Sequence, residues 1–203
     1  MTSLIRGKVR RKTFVAREDL LSHLAEIAER KGFSLYAFVN NIFELVIKAE
    51  DAGLNLKRFL DDYTAVKRAK EAGFILWLER LCYVMADIAY ERSRNQAVKE
   101  WFEAGMWFAK RYILGFEDKC WEEFVRDLKA LLWNVQEFEV EQNGDVVTLR
   151  VLSPKFTEAY THLLNAFLEG CISAFGYVVS FKEVYRGRIF LEAIKAGGET
   201  ERR

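Results

Sequence analysis

Residues 9–53 have the sequence VRRKTFVAREDLLSHLAEIAERKGFSLYAFVNNIFELVIKAEDAG. Arg, Lys and Thr dominate residues 9–15, and the first acidic residue of the chain is Glu18. This composition predicts a short basic β-strand. A lone strand leaves its backbone donors and acceptors unpaired, so it needs a partner strand. The simplest partner is the same strand of a second copy, which would form an antiparallel ribbon.

Two amphipathic helices are predicted after this strand. In residues 17–31, Leu20, Leu24, Ile27 and Ala28 have the spacing of one buried helix face, and Gly32 suits the C-terminal cap. Ser34 suits the N-cap of a second helix that ends before Gly53. Its apolar stripe is wide: Phe38, Val39, Ile42, Phe43, Leu45 and Val46. So short a segment cannot bury all these side chains within one copy, which again favours a dimer.

This segment resembles the ribbon-helix-helix DNA-binding proteins of the MetJ, Arc and CopG type. The resemblance rests on residues 11–15, 20–21, 24, 27–28, 31–34 and 37–39, with spacing like that of the family and no gap. It covers about a quarter of the chain. In that family the outward strand side chains contact bases, and the start of the second helix binds a phosphate. The resemblance therefore implies binding to double-stranded DNA.

Two strand registers are possible, because a shift by one residue exchanges the two faces of a strand. In one register Arg11, Thr13 and Val15 face DNA and Phe14 turns toward the helices. In the other register, Arg10 and Lys12 face outward. The predicted DNA-binding residues are therefore Arg10, Arg11, Lys12, Thr13, Val15 and, at the helix N-terminus that would hold a phosphate, Ser34 and Leu35. The predicted dimer core comprises Phe14, Leu24, Ile27, Phe38, Val39 and Ile42.

The charge distribution also favours DNA. Six basic side chains precede Glu18 with no acidic residue among them, and a dimer would double this charge. The whole chain, by contrast, has 31 Lys and Arg against 30 Asp and Glu. The basic segment is therefore local, which argues against non-specific coating of nucleic acid. The six basic residues are Arg6, Lys8, Arg10, Arg11, Lys12 and Arg17.

The remaining 150 residues are predicted to form a second domain at residues 54–195, followed by a flexible tail at 196–203. Helical spacing is found at residues 56–72, 74–92, 95–114 and 119–133. The pattern then alternates on both sides of Asn143-Gly144, a strong hairpin signal, and a long helix from Ser153 to Phe175 precedes a second hairpin at residues 177–194. This order predicts a mostly helical α+β protein with a four-stranded antiparallel sheet packed on helices.

The second domain resembles the vinyl-reductase type of small-molecule-binding domain. The resemblance rests on Trp133 and on residues 167–176, 178–179 and 182–184. It implies a sensory role for an apolar or aromatic small molecule. The cysteine cluster common in such domains near the last hairpin is missing, so their metal site is not expected.

Other functional classes have little support in the sequence. There is no phosphate-binding loop, dinucleotide-binding turn, zinc-protease motif or nucleophile elbow, so we expect neither an enzyme nor a cofactor. Cys82, Cys120 and Cys171 lie far apart in apolar surroundings and suggest no metal site or disulfide framework. Residues 74–90 include three charges, too many for a membrane span, and no signal peptide is evident. We therefore expect a cytoplasmic protein with no membrane partner.

Two hypotheses follow. The first is a homodimeric or larger transcription regulator that binds a specific DNA sequence through the ribbon and senses a small molecule through the second domain. The second is a scaffold that dimerises through the ribbon-helix-helix unit without binding DNA and contacts a protein through the second domain.

Overall fold

The computed structural model describes residues 12–197. Its fold is α+β, 62% helical, with a four-stranded antiparallel sheet, as the sequence predicts. The chain divides into two compact units between Phe59 and Leu60. No helix in the described part has the length and apolar character needed to cross a membrane.

The first unit contains the two predicted helices. Helix α1 (Glu18–Arg30) ends at Lys31 and Gly32, and Gly32 has the left-handed φ of 73° expected of its position. Helix α2 (Leu35–Asp51) begins after Ser34, whose hydroxyl accepts a hydrogen bond from the Ala37 amide at 3.2 Å. Both helices and the Ser34 cap are therefore confirmed.

The predicted N-terminal strand is absent from the part of it that the structure describes. Residues 12–17 form no regular secondary structure, and residues 9–11 lie outside the described range, as do Arg6 and Lys8 and residues 198–203 of the predicted tail. The physical reason is the one given by the sequence: a strand needs a second strand for its backbone hydrogen bonds. Within the single chain, no strand of the described residues pairs with this segment.

The second unit begins within helix α3 (Leu56–Glu71) and continues into α4 (Glu79–Gly115). Residues 74–78, predicted to be helical, form no regular secondary structure: Gly73 has a φ of 82°, and the Phe74 amide donates to the Ala69 carbonyl, which closes α3. The Phe74 ring then packs against Phe108 at 5.1 Å between centroids. Helix α4 kinks at Ser93 (φ −154°, ψ 68°), where the sequence predicts a break.

A short 3₁₀ turn (Glu117–Lys119) and helix α5 (Cys120–Leu131) follow. The strands are β1 (Glu137–Asn143), β2 (Val146–Leu152), β3 (Tyr177–Tyr185) and β4 (Arg188–Lys195), in the spatial order β1-β2-β4-β3. Helix α6 (Glu158–Ala174) lies between the hairpins in sequence. It begins after Thr157, whose hydroxyl accepts a hydrogen bond from the Tyr160 amide. The sequence predicts a start at Ser153, but the Ser153 amide donates to the Gly187 carbonyl and the Ser153 carbonyl accepts from the Phe156 amide in a turn.

The core of the second unit joins the sheet to three helices. Alternate residues of the central strands β2 and β4 are buried, in pairs such as Leu149 opposite Leu191. Helices α4 and α6 approach so closely at Gly105 and Gly170 that a Cβ on either glycine would lie 2.0 Å from a carbonyl oxygen of the other helix. The large buried side chains packed with the sheet include Phe108, Tyr112, Phe124, Leu128, Leu168 and Ile172.

Candidate nucleic-acid interface and ligand cleft

The first unit leaves most of its apolar side chains exposed. Among its described residues only Ala28 and Ala49 are buried. The predicted core residues Leu24, Ile27, Phe38, Val39 and Ile42 are only partly buried. Several other apolar side chains are about half exposed or more: Phe14, Leu20, Phe33, Tyr36, Leu45, Ile47 and Phe59. Large apolar side chains exposed in this number on so short a segment are typical of an interface.

Two neighbouring residues in the predicted strand segment have different environments. The ring of Phe14 packs edge-on against Phe43 of α2, with 5.4 Å between centroids. Val15 is 98% exposed, and Lys12 and Thr13 are exposed as well. Arg10 and Arg11 lie outside the described residues. In the described segment, therefore, Phe14 turns toward the helices while the residues on both sides of it face solvent.

The start of α2 presents Ser34 and Leu35 at the surface. The Ser34 hydroxyl is engaged with the Ala37 amide, so a phosphate here would be bound by backbone amides of the first turn rather than by that hydroxyl. No acidic side chain lies in this first turn. Its electrostatic environment is therefore suited to an anion.

The second unit contains a buried polar cluster that joins three of its helices. The carboxylate of Asp127, on α5, is fully buried. It accepts two hydrogen bonds of 2.5 Å from the guanidinium of Arg68, on α3, and one of 2.8 Å from the hydroxyl of Tyr112, on α4. Burial, followed by the hydrogen bond to Asp127, raises the pKa of Tyr112. The Arg68 guanidinium also lies 3.1 Å from the Glu123 carboxylate of α5, so the cluster ties α3 and α4 to α5.

A cleft of about 440 Å³ opens beside the kink in α4, between α4 and α6. Tyr90 lies before the kink at Ser93 and Arg94 after it, and both line the cleft. His162 of α6 stacks on Tyr90, with 5.7 Å between ring centroids and 7° between planes. The guanidinium carbon of Arg94 lies 4.8 Å from the centroid of the same ring. This volume is in the range of small-molecule sites.

The charges around the cleft are mostly positive. Lys182 of β3 donates to the Glu169 carboxylate at 2.7 Å, and Asn165 donates to the same oxygen at 2.5 Å. Burial lowers the pKa of His162, and the positive charge of Arg94 acts in the same direction. The imidazole is therefore held toward its neutral form.

The chain has no significant match to any protein-family model, to any curated protein or to any solved structure.

The sequence did not indicate either polar site of the second unit. Arg68 and Asp127 are 59 residues apart, and Tyr90 and His162 are 72 residues apart, so neither pair forms a local motif. His162 lies within the predicted long helix with no recognisable motif around it. One signal was available: the break at residues 93–95 predicts a change of helix direction, and a kink in a long helix commonly adjoins a functional site.

Proposed function

We propose that the protein is a homodimeric transcription regulator that binds specific DNA through an N-terminal ribbon-helix-helix unit and senses a small molecule through its second unit. The observation that carries the proposal is the exposed apolar surface of α1 and α2. Two helices with only Ala28 and Ala49 buried among the described residues have no core of their own. A second copy would cover this surface and also supply a partner for the N-terminal segment.

The packing of Phe14 on Phe43 supports one register of the proposed ribbon. With Phe14 directed at the helices, alternation places Arg11, Thr13 and Val15 on the opposite face. A two-stranded ribbon with these side chains fits the major groove of DNA. Arg11 would contact a base edge or phosphate, Thr13 a base edge, and Val15 the methyl group of a thymine.

The starts of the two α2 helices would fix the ribbon on the DNA backbone. Each offers first-turn amides at Ser34 and Leu35 without a nearby acidic side chain. Sensing would require a ligand that binds two arrangements of the dimer with different affinity.

The experiment is DNA binding by the full chain, after selection of genomic fragments that it retains. We expect Arg11→Ala to weaken binding at least about tenfold and to reduce the sequence preference in the register above, and Lys12→Ala, on the other face of the strand, to weaken binding less. If a substituted side chain contacts phosphate, the salt dependence of the affinity also decreases. Lys110→Ala is the matched control, because Lys110 is an exposed cation in the second unit.

The oligomeric state is tested by sedimentation. Ile42→Asp places a charge in the proposed interface and should convert the dimer to monomer, whereas Asn41→Asp, one residue away and exposed, should not. A monomeric wild-type chain would contradict the proposal. A dimer whose DNA affinity is unaffected by Arg11→Ala and Lys12→Ala would instead support the scaffold hypothesis.

A further inference from the structure

We propose that the cleft beside the kink in α4 binds a small aromatic hydroxy acid, that is, a carboxylate on an aromatic body with a hydroxyl donor. This inference deepens the sensory role above and rests on it for any effect on DNA, but binding itself depends only on the cleft. All residues of the cleft lie in the second unit.

Two buried polar atoms in the described residues have no hydrogen-bond partner: the Tyr90 hydroxyl oxygen and Asn165 Oδ1. Both residues line this cleft, and Tyr90 also borders a second cavity on its other side, next to Asp87 and Thr157. Asn165 is only 6% exposed, and its amide nitrogen is already bonded to Glu169. An unpaired buried polar group destabilises the folded state. Its presence in a binding cleft points to a ligand that completes the hydrogen bonds.

The chemistry of these atoms specifies the polar groups of the ligand. An amide oxygen only accepts, so the group that meets Asn165 must be a donor such as a hydroxyl. The Tyr90 hydroxyl can donate or accept. A ligand with only acceptors would leave Asn165 unsatisfied, so an anion without a donor should bind more weakly.

The charge of the cleft indicates the sign of the charge on the ligand. Arg94, Lys99 and Lys182 line it together with a single carboxylate, Glu169. Lys182 is paired with Glu169 at 2.7 Å and Lys99 with Glu103 at 3.7 Å. Arg94 makes no ion pair with any carboxylate of the described residues; its guanidinium stacks on Tyr90 instead. A guanidinium in this state can bind a carboxylate through two parallel hydrogen bonds.

The remaining walls specify the body of the ligand. Val98 and Phe102 of α4 and Ala166 of α6 are apolar, and the stacked Tyr90 and His162 rings add aromatic surface. Because α4 bends at Ser93, residues from both of its halves meet α6 around this one space. An aromatic body fits such walls, with its charged end at Arg94.

The test is isothermal titration calorimetry of the full chain with 4-hydroxybenzoate, benzoate and phenol at pH 7.5. We expect 4-hydroxybenzoate to bind at least about tenfold more tightly than phenol, which lacks the carboxylate, and several-fold more tightly than benzoate, which lacks the donor. Arg94→Gln should abolish the preference for the acids over phenol. Arg92→Gln is the control, since Arg92 is an exposed cation of the same helix outside the cleft.

Two further variants test the hydrogen bonds. Asn165→Leu should reduce the affinity for 4-hydroxybenzoate to that for benzoate, and Tyr90→Phe, which keeps the stacked ring, should weaken binding of 4-hydroxybenzoate several-fold. Tryptophan fluorescence verifies that each variant is folded. The proposal is overturned if phenol binds as tightly as 4-hydroxybenzoate, if Arg94→Gln has no effect, or if no acid shows saturable binding, in which case water alone satisfies the two atoms.

DNA binding is measured on the same samples and separates the two proposals. Saturable acid binding by a protein that does not bind DNA would leave the cleft assignment intact and contradict the regulator. DNA binding without acid binding would contradict the cleft assignment alone.

Discussion

In the second unit, Phe108, Phe124 and Leu168 are at most 2% exposed, whereas the large apolar side chains of the first unit, such as Phe38 and Ile42, remain at least partly exposed. Both units have amphipathic helices with well-formed ends. The second unit has a sheet against which its helices pack, and the described part of the first unit has none.

The difference shows that amphipathic patterning specifies a helix face but not what covers it. In the second unit, α4, α5 and α6 bury a common core with the sheet within one chain, although Ile75, Leu76, Leu78 and Leu114 at its surface are 74–87% exposed. Among the described residues of the first unit, no comparable core covers the apolar faces of α1 and α2. The core of the second unit should therefore form within one copy, whereas the stability of the first unit should depend on a second copy.

The two units can be monitored separately, because all five tryptophans belong to the second unit. Their fluorescence therefore reports unfolding of that unit, while sedimentation reports association of the first. The tryptophans are Trp77, Trp101, Trp107, Trp121 and Trp133.

The largest expected effect is that of Gly105→Ala or Gly170→Ala on the second unit. The added Cβ would lie 2.0 Å from the Phe167 or Phe102 carbonyl oxygen, respectively. Because these oxygens belong to the backbone, α4 and α6 must move apart, and we expect a loss of about 4 kcal/mol in the free energy of unfolding. Denaturant titration followed by tryptophan fluorescence measures it.

Gly115→Ala is the matched control, since a Cβ at Gly115 meets nothing within 4 Å and α4 ends there. It should change the free energy of unfolding by less than about 1 kcal/mol. Equal effects at Gly105 and Gly115 would contradict the close contact of α4 and α6.

The next effect concerns the buried polar cluster. Arg68→Leu removes the guanidinium that donates two hydrogen bonds to the fully buried Asp127 and leaves only Arg126, at 3.8 Å, as a nearby cation; it should cost about 3 kcal/mol. The double variant Arg68→Leu, Asp127→Leu removes both charges and should recover at least half of that loss. If Asp127→Leu lowers the free energy of unfolding as much in the Arg68→Leu variant as in the wild type, the two side chains are not coupled.

Local patterns predicted much of the fold. The Ser34 cap, Gly32 and the apolar spacing correctly placed α1 and α2, and Asn143-Gly144 placed the first hairpin, because each depends on residues close in sequence. The predicted start of α4 at residue 74 was wrong, because the five consecutive apolar residues 74–78 fit a helix as well as a non-helical segment. In the structure, the helix end at Gly73 and the packing of Phe74 on Phe108 accompany the non-helical form.

The cleft could not be predicted because it depends on contacts between distant residues. His162 on the long helix has no local feature that indicates Tyr90 or Arg94 as neighbours. The N-terminal segment is the opposite case: its pattern predicts a strand, and in the proposed dimer the partner strand is on another chain.

A smaller effect tests which side of that segment faces the helices. Phe14→Ser removes the ring that packs on Phe43, whereas Val15→Ser removes a side chain that is 98% exposed. Each of the two copies would lose one ring contact, worth about 1 kcal/mol or somewhat less, so we expect Phe14→Ser to raise the dimer dissociation constant roughly tenfold. Val15→Ser should change this constant less than about twofold. The reverse order would favour the register in which Arg10 and Lys12 face DNA.

The smallest effect is the pH dependence contributed by His162 in the second unit. Burial lowers its pKa below 6.5; Arg94 and Lys182 lower it further, Glu158 opposes them, and the stacked Tyr90 is uncharged near neutral pH. The unfolded chain therefore binds a proton more readily than the folded one. This contribution to stability is complete above pH 6.5 and is lost as the pH falls below that value toward the folded pKa.

Denaturant midpoints at pH 7.5 and pH 5, followed by tryptophan fluorescence, measure this contribution. The wild-type second unit should lose more stability on acidification than His162→Gln, in which the titrating group is gone. His23→Gln is a suitable control, because His23 is the other histidine of the chain and lies on α1 of the first unit, where the tryptophans do not report. A larger loss in His162→Gln than in the wild type would mean that the folded unit stabilises the imidazolium, which would contradict the burial of this side chain beside Arg94.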